Sequence, residues 1–535
     1  MTDTGDSSLP PPLNLLTDAW LPVRRRSGRR DLIRPAQIAE VADPVIDLDW
    51  PRADFRIASL EFLIGLLATA APPEGLDAWL DRWDAPPDPS ALDAAFAPLA
   101  HAFNLDGEGP RFMQESGDLV SDDKPIQDLL IDAAGSASMF TRHTRVDALG
   151  RHAAAMALFT LQCWAPEGGR GHFTGLRGGG PLSTFVLPGA RPTIWQTVWA
   201  NVQINADGPP PTEMLPSVLP WLSPAIGESG PRITTPENSH VLQTFWSMPR
   251  RIRLNFVHAA GPHHCPLTGV EDTVLVGSWR QRPNGVKYVG WGKMHPLTPH
   301  RQDKSSRDYF PLHGQPGGIG YRDWIGLVVA TPEGVQLPAS AVSTWRGVRG
   351  ASVDAKQARL LAAGYDMKSM KARAFVESEM PLPAAPSADE RDRLDALASR
   401  LVRSANHVAG LLRGAVRAAL FSPGATVKLD AELLSSVRER LWEGTEEGFF
   451  ALLTERPDDA ERRWLARLRE VALRLFDEAA PLTAENGGAA PRIGRARRNL
   501  IFALTGFGKD GEALFDMLGF ARAQPKAKKT KGKAA

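Results

Sequence analysis

Met380–Leu401 reads MPLPAAPSADERDRLDALASRL, and the change of character inside this stretch divides the chain. Pro381, Pro383 and Pro386 restrict φ and supply no N–H, so the segment up to Pro386 reads as an extended linker. Ser387 and Glu390 then have the S-x-x-E spacing of a capping box, in which each side chain accepts a hydrogen bond from the other residue's backbone N–H. A helix therefore starts at the linker's end. Leu394, Leu397, Leu401, Val408, Leu411, Leu412 and Val416 recur at three and four residues, which puts them on one face of a helix running to about Phe421. Downstream, helical patterns cover Asp430–Trp442, Asp458–Ala479 and Gly494–Leu504, with a short helix over Glu446–Leu453. Four main helices of this length predict a four-helix bundle over residues 387–520. The closing PKAKKTKGKAA carries five lysines and no acid, so residues 521–535 read as a basic disordered tail.

Upstream of the linker the pattern is mixed. Residues 1–13 are polar and proline-rich and read as disordered, and NLLTDAWLPV from Asn14 reads as an opening strand. Helical patterns occupy Ala58–Ala70, Ala91–Phe103 and Leu149–Gln162, and strand-like runs occupy Ile252–Val257, Thr273–Val276 and Trp324–Val329. The expectation is an α+β chain: an irregular mixed α/β domain over residues 14–380, followed by the bundle.

Composition narrows the class. The 535 residues are 43% hydrophobic and 23% charged, ordinary for a globular protein, and the formal net charge is +1. Any nucleic-acid surface must therefore come from local clusters of Lys and Arg. Cys163 and Cys265 are too few for a disulfide scaffold and fit a reducing compartment. With no apolar run of membrane-spanning length and no signal-peptide pattern, a cytoplasmic protein is expected.

The densest chemical signal is Gly168–Pro181, GGRGHFTGLRGGGP, with seven glycines and two arginines. Glycine admits positive φ and lets backbone N–H groups approach a ligand, while Arg170 and Arg177 add fixed charge. No lysine followed by Ser or Thr closes a nucleotide-triphosphatase loop. The run enters an apolar, strand-like Leu182–Leu187 rather than the helix a dinucleotide fingerprint requires. A second cluster, Arg492, Arg495, Arg497, Arg498 and Lys509, makes the last helical stretch basic, either as a solvated face or as a surface for a phosphate backbone.

Five segments together carry a resemblance: NLLTDAWLPV, GHFTGLRGGGPLSTFV, HPLTPH from His295, GYDM from Gly364 with KAR from Lys371, and LRLFDEAAP from Leu473. In order and spacing, from about Asn14 to about Gly519, they resemble the CasA family, the large subunit of the type I-E CRISPR Cascade complex. The resemblance implies a non-enzymatic subunit with no cofactor. It would recognise the protospacer-adjacent motif in double-stranded target DNA mainly through the minor groove, help open the duplex, and help recruit the helicase-nuclease. Its partners would be the other Cascade subunits, the crRNA, duplex target DNA and the displaced strand.

Carried onto this chain, the family's glycine loop falls on Gly168, Gly169, Arg170 and Gly171. Arg170 reaches a phosphate or the groove, or points to solvent; Gly175–Pro181 is a ligand loop or a structural turn in which Arg177 pairs internally. The family's hairpin lysine maps to a hairpin over Val274–Lys293 turning at Pro283-Asn284-Gly285, with Lys287 first and Arg282 and Arg280 as rivals. The strand-separating wedge maps to the loop after Gly364-Tyr365, with Lys368, Ser369 and Met370 at its tip; Ser369 replaces the family's usual amide, and Met367 reads equally as core. Phe140, Thr141 and Arg142 match the loop that meets the crRNA 5′ handle, where Phe140 stacks on a base or is buried. In the bundle, Arg495, Arg497 and Arg498 are the candidates for backbone contact with the displaced strand.

Two other classes remain on residue grounds. His263, His264 and Cys265 form a PHHC cluster, with His295 and His300 as further ligands for a metal-dependent nuclease, but no second close pair completes a tetrahedral set. An RNA-binding scaffold without duplex recognition is the other.

Overall fold

A computed structural model describes residues 11–117, 119–133, 146–224, 230–353, 355–368, 371–421, 431–482 and 489–520. The chain forms two compact units, Met1–Ile319 with Gly326–Ala384 and Gly320–Ile325 with Ala385–Ala535. Among the described residues all strands lie in the first unit and the second is helical, so the fold is α+β.

In the first unit, helix α1 (Ala53–Ala70) is buried on nearly every side, with apolar residues on all its faces and the buried carboxylates Asp54 and Glu61 paired with Arg52 and Arg177. It is followed by α2 (Leu76–Asp84), α3 (Pro89–Phe96), α4 (Arg151–Trp164) and α5 (Ile194–Asn201). Phe62 of α1 sits at the centre of the core, with Trp20, Phe159 and Trp246 edge-on to it at 5.5, 5.6 and 5.7 Å. Edge-to-face geometry sets the positive ring edge on the negative face, adding attraction to the area buried.

Short sheets frame this core. β1 (Leu21–Arg25), β2 (Arg30–Ile33) and β3 (Val45–Leu48) form one antiparallel sheet with β1 central. β4 (Ser183–Leu187) follows the glycine-rich run, and β5 (Arg232–Thr234) is a short isolated strand in sequence. β6 (Arg251–His264) and β7 (Glu271–Arg282) make the longest pairing, antiparallel from Arg251↔Arg282 to His264↔Glu271 with register shifts after Asn255 and between His258 and His263. β8 (Val286–Tyr288) runs parallel to β5. β9 (Arg359–Lys368) pairs antiparallel with β4 on one side and with β10 (Lys371–Pro381) on the other.

Three expectations change here. The segment at Asn14 opens with a turn, because the Asn14 Oδ1 accepts from the Leu16 N–H at 2.9 Å, and the strand begins at Leu21. Trp324–Val329 contains a helical turn, Trp324–Leu327, and Gly326 takes φ +105°, which no regular strand contains. The hairpin expected over Val274–Lys293 does not form: β7 pairs back along β6, and Pro283-Asn284-Gly285 steers the chain off that sheet into β8. Asn284 adopts φ +61°, and a Cβ on Gly285 would stand 2.0 Å from the Pro249 carbonyl oxygen. The residues make a turn as their chemistry dictates; the long-range partner, β5, is what local sequence does not name.

In the second unit the capping box forms. The Glu390 N–H donates to Ser387 Oγ at 3.2 Å and the Ser387 N–H to Glu390 Oε2 at 3.3 Å, opening α6 (Ala388–Leu420). It is followed by α7 (Ala431–Glu455), α8 (Ala460–Ala479), α9 (Ala490–Leu504) and a further short helix, α10 (Gly508–Met517). The separate helix expected at Glu446–Leu453 is the second half of α7. Gly444 does not break α7 but lets α8 approach, since a Cβ there would lie 3.0 Å from Val471 Cγ1.

Candidate nucleic-acid interface

The glycine-rich stretch divides in two. Its first part, Gly168–His172, is a tight exposed loop: the Gly168 N–H donates to the His172 carbonyl at 3.1 Å, and the His172 N–H to the Gly169 carbonyl at 3.0 Å. Gly169 and Gly171 take φ +92° and +80°, which side chains with a Cβ adopt only under strain. Arg170 at the apex is exposed and has no hydrogen-bond or ion-pair partner among the described residues.

The second part turns inward. Arg177 is 4% exposed and Glu61 1%. Arg177 Nη2 donates to Glu61 Oε2 at 2.8 Å, and its Nη1 to Glu61 Oε1, Ser183 Oγ and Thr298 Oγ1 at 2.9, 2.8 and 3.2 Å. The guanidinium also lies 5.6 Å above the Trp164 ring. This arginine pairs internally, and Gly175–Pro181 is a packed turn. A Cβ at Gly175 would lie 2.5 Å from the Cys163 carbonyl oxygen, and one at Gly180 2.7 Å from Met367 Cγ. Segments far apart in sequence thus converge, because the Thr184 N–H donates to the Leu297 carbonyl at 2.7 Å and Gly364 packs on Pro181.

The exposed loop abuts the Pro283-Asn284 turn. The Asn284 N–H donates to the Gly171 carbonyl at 2.8 Å, and a Cβ on Gly171 would meet Pro283 Cβ at 2.7 Å. Lys287 lies just beyond, on β8 rather than on a hairpin, exposed and without a partner among the described residues. Its rivals are engaged: Arg280 Nε donates to Asp123 Oδ1 at 2.6 Å, and Arg282 Nη1 to the Val120 carbonyl at 3.3 Å.

Beneath the loop lie residues that the sequence reading did not single out. Arg250 is 7% exposed; its Nε donates to the Phe173 carbonyl at 3.2 Å and its Nη2 to the Pro166 carbonyl. Gln162 of α4 holds the Arg250 backbone at both polar groups, accepting from its N–H at 3.1 Å and donating to its carbonyl at 3.0 Å. Burial pushes the Arg250 guanidinium down to about 10, and it remains charged at neutral pH. Burial, Lys124 and Arg250 lower the pKa of His172, so its neutral Nδ1 accepts from Gln281 Nε2 at 2.8 Å. The one signal was Gln162 itself, an amide in the largely apolar MALFTLQCW, because a buried amide requires partners.

The wedge region is a hairpin rather than a loop after Gly364-Tyr365. β9 carries the chain to Lys368, and Lys368 and Lys371 are exposed register partners at its end. Met367 packs against Gly180. Ser369 and Met370 lie outside the described residues, as do Phe140, Thr141 and Arg142. In the bundle, Arg497 is engaged with Asp477 at 2.7 and 2.9 Å, whereas Arg495 and Arg498 are exposed without partners among the described residues.

The PHHC cluster disperses. His264 faces Glu271 at 3.6 Å, Cys265 is buried, and His295 and His300 are buried elsewhere, each held neutral chiefly by burial. Among the described residues no group of three or more His, Cys, Asp or Glu side chains stands close enough to hold a metal, and no helix is long and apolar enough to cross a membrane.

Comparison with solved structures finds the same fold. A CRISPR-associated protein from Thermus thermophilus matches with TM-score 0.71 at 16% identity, over 92% of this chain and 100% of that one. Cse1 from Thermobifida fusca gives 0.70 at 17%, over 96% and 99%. A chain of a CRISPR RNA-guided surveillance complex gives 0.69 at 16%, over 92% and 100%. Residues 14–475, spanning the glycine loop, the β9–β10 hairpin and most of the bundle, match the family described as CRISPR-associated protein Cse1, and the chain belongs to that family.

Proposed function

We propose that this protein is the large subunit of a CRISPR RNA-guided surveillance complex of the Cascade type, reading the protospacer-adjacent motif of duplex DNA. The observation that carries the reading is the glycine-rich, braced loop Gly168–His172, with the unpaired cation Arg170 at its apex and the unpaired Lys287 just beyond the turn it abuts. Backbone without Cβ atoms enters a narrow minor groove where side chains would clash, and the groove's negative potential attracts the two cations. Readout there is degenerate, so several motifs would be accepted. Lys368 and Lys371, like charges opposed at a hairpin end, repel each other unless an anion lies between them, which suits a hairpin that holds phosphate beside an opened base pair. Ser369 and Met370 would form its tip, and Phe140, Thr141 and Arg142 would meet the crRNA handle. Arg495 and Arg498 of the bundle would bind the displaced strand. Recruitment of the helicase-nuclease would follow opening, and the subunit itself would bind rather than cleave.

The test is binding of the reconstituted complex to duplex targets that share the guide-matched sequence and differ only in the adjacent motif. The wild-type complex should prefer the matched motif, and Lys287→Ala and Arg170→Ala should each lose about 1–3 kcal/mol of that preference, the usual worth of a groove contact. Equal affinity of the wild-type complex for both targets would remove the recognition role.

A further inference from the structure

We propose that Arg250 is the positioning residue of the glycine loop, a clamp that sets the loop's shape before DNA arrives; this rests on the groove-reading role proposed above. Its guanidinium donates to the carbonyls of Pro166 and Phe173, one on each side of Gly168–His172, and so ties the two ends of the loop together. Arg250 is itself immobilised, because Gln162 bonds both its N–H and its carbonyl, and Gln162 Nε2 also reaches the Met113 carbonyl at 3.2 Å. The chain of support runs from the core helix α4 to the loop without passing through a mobile side chain.

Such a clamp is required by the loop's own composition. Glycines lose more backbone freedom on ordering than any other residue, so a loop of Gly168, Gly169 and Gly171 left to itself samples many conformations. If it were ordered only by DNA, that entropy would oppose every binding event and blunt discrimination between motifs. Arg250 takes no carboxylate among the described residues; its polar contacts go to the two loop carbonyls, so its placement is not explained by an ion pair. The planar fork aims one fixed N–H at each carbonyl, whereas a lysine ammonium in the same place offers donors in no fixed orientation. Gly168 is fitted to the clamp, since a Cβ there would lie 2.9 Å from Arg250 Nη2 and 3.3 Å from its Cζ.

The test uses Arg250→Gln and Arg250→Lys in the assembled complex, with two readouts. The first is amide hydrogen exchange of residues 167–173 in the absence of DNA, which reports the clamp whatever the loop binds. The second is the ratio of affinities for matched and mutated motifs. Arg250→Gln should raise exchange in this segment at least tenfold while the rest of the chain keeps its protection, and should cut the motif ratio at least tenfold while leaving affinity for the mutated motif unchanged. Arg250→Lys, which keeps the charge and loses the fork, should fall between. Unchanged exchange in Arg250→Gln, or wild-type behaviour of Arg250→Lys in both readouts, would overturn the clamp. A uniform loss of affinity for both targets would overturn it too, reducing Arg250 to a structural role. Should the wild-type complex show no motif preference, the recognition reading fails while the exchange result still decides the clamp. If Arg250→Gln does not fold, Gly168→Ala reaches the same contact from the loop side, its Cβ meeting both the guanidinium and His172 Cβ at 2.9 Å, and it too should raise exchange at residues 167–173.

Discussion

Arg170 and Arg177 stand seven residues apart in one glycine-rich stretch and have opposite fates. Arg177 lies in the interior with a carboxylate and two hydroxyls, where removing one partner would strand a buried charge. Arg170 has only solvent for company among the described residues. Residue type does not separate them; the side on which the chain turns does. The buried histidines supply a test at this scale. His300 is 5% exposed, and burial with the nearby charges of Arg177 and Lys293 lowers it from 6.5 to about 4. The unfolded chain binds this proton at a pH where the folded chain refuses it. The contribution is therefore complete above about pH 6.5 and is lost as pH falls toward 4, amounting to about 3 kcal/mol by the lower end. Urea midpoints measured at pH 7.5, 5.5 and 4.5 should fall along this series. His300→Gln should flatten the fall; an unchanged slope in that variant would assign it to other groups.

At the scale of elements, the signals that were legible are those contained within a few residues. The capping box at Ser387 and Glu390 forms as its spacing requires, because both of its hydrogen bonds close within one helical turn. Ser387→Ala should cost about 1 kcal/mol and lower the midpoint of the helical unit, measurable by circular dichroism, while Ser387→Asp should keep most of the stability. The misread elements failed for the opposite reason. β8 is three residues long and takes its partner from β5, about fifty residues earlier in the chain, so no local alternation marks it. The stretches Asp430–Trp442 and Glu446–Leu453 read as separate helices, but they are one helix, and Gly444 between them is where α7 and α8 come close.

At the scale of the whole molecule, the net charge of +1 means that binding to DNA must rest on placed cations rather than on a general field. If Arg495 and Arg498 each bind a phosphate of the displaced strand, changing either to Ala should lower the slope of log K against log salt by about 0.7. Arg497→Ala, which removes a partner of Asp477 instead, should leave that slope unchanged. Titration of the complex against single-stranded DNA at several salt concentrations measures all three.

The linker, the capping box, the helical periodicities and the order of five motif segments were each readable in the chain, and from them came the α+β division and the family. These are properties of near neighbours, and steric and hydrogen-bonding rules act on near neighbours without reference to the rest of the molecule. Tertiary structure alone decided which glycines face outward, which arginine pairs internally, that Lys287 sits on a parallel strand, and that Arg250 lies under the loop. Those outcomes depend on which distant polar group, backbone carbonyl or side chain, stands within about 3 Å, a matter of how two remote segments pack around a shared core, and no spacing along the sequence encodes it.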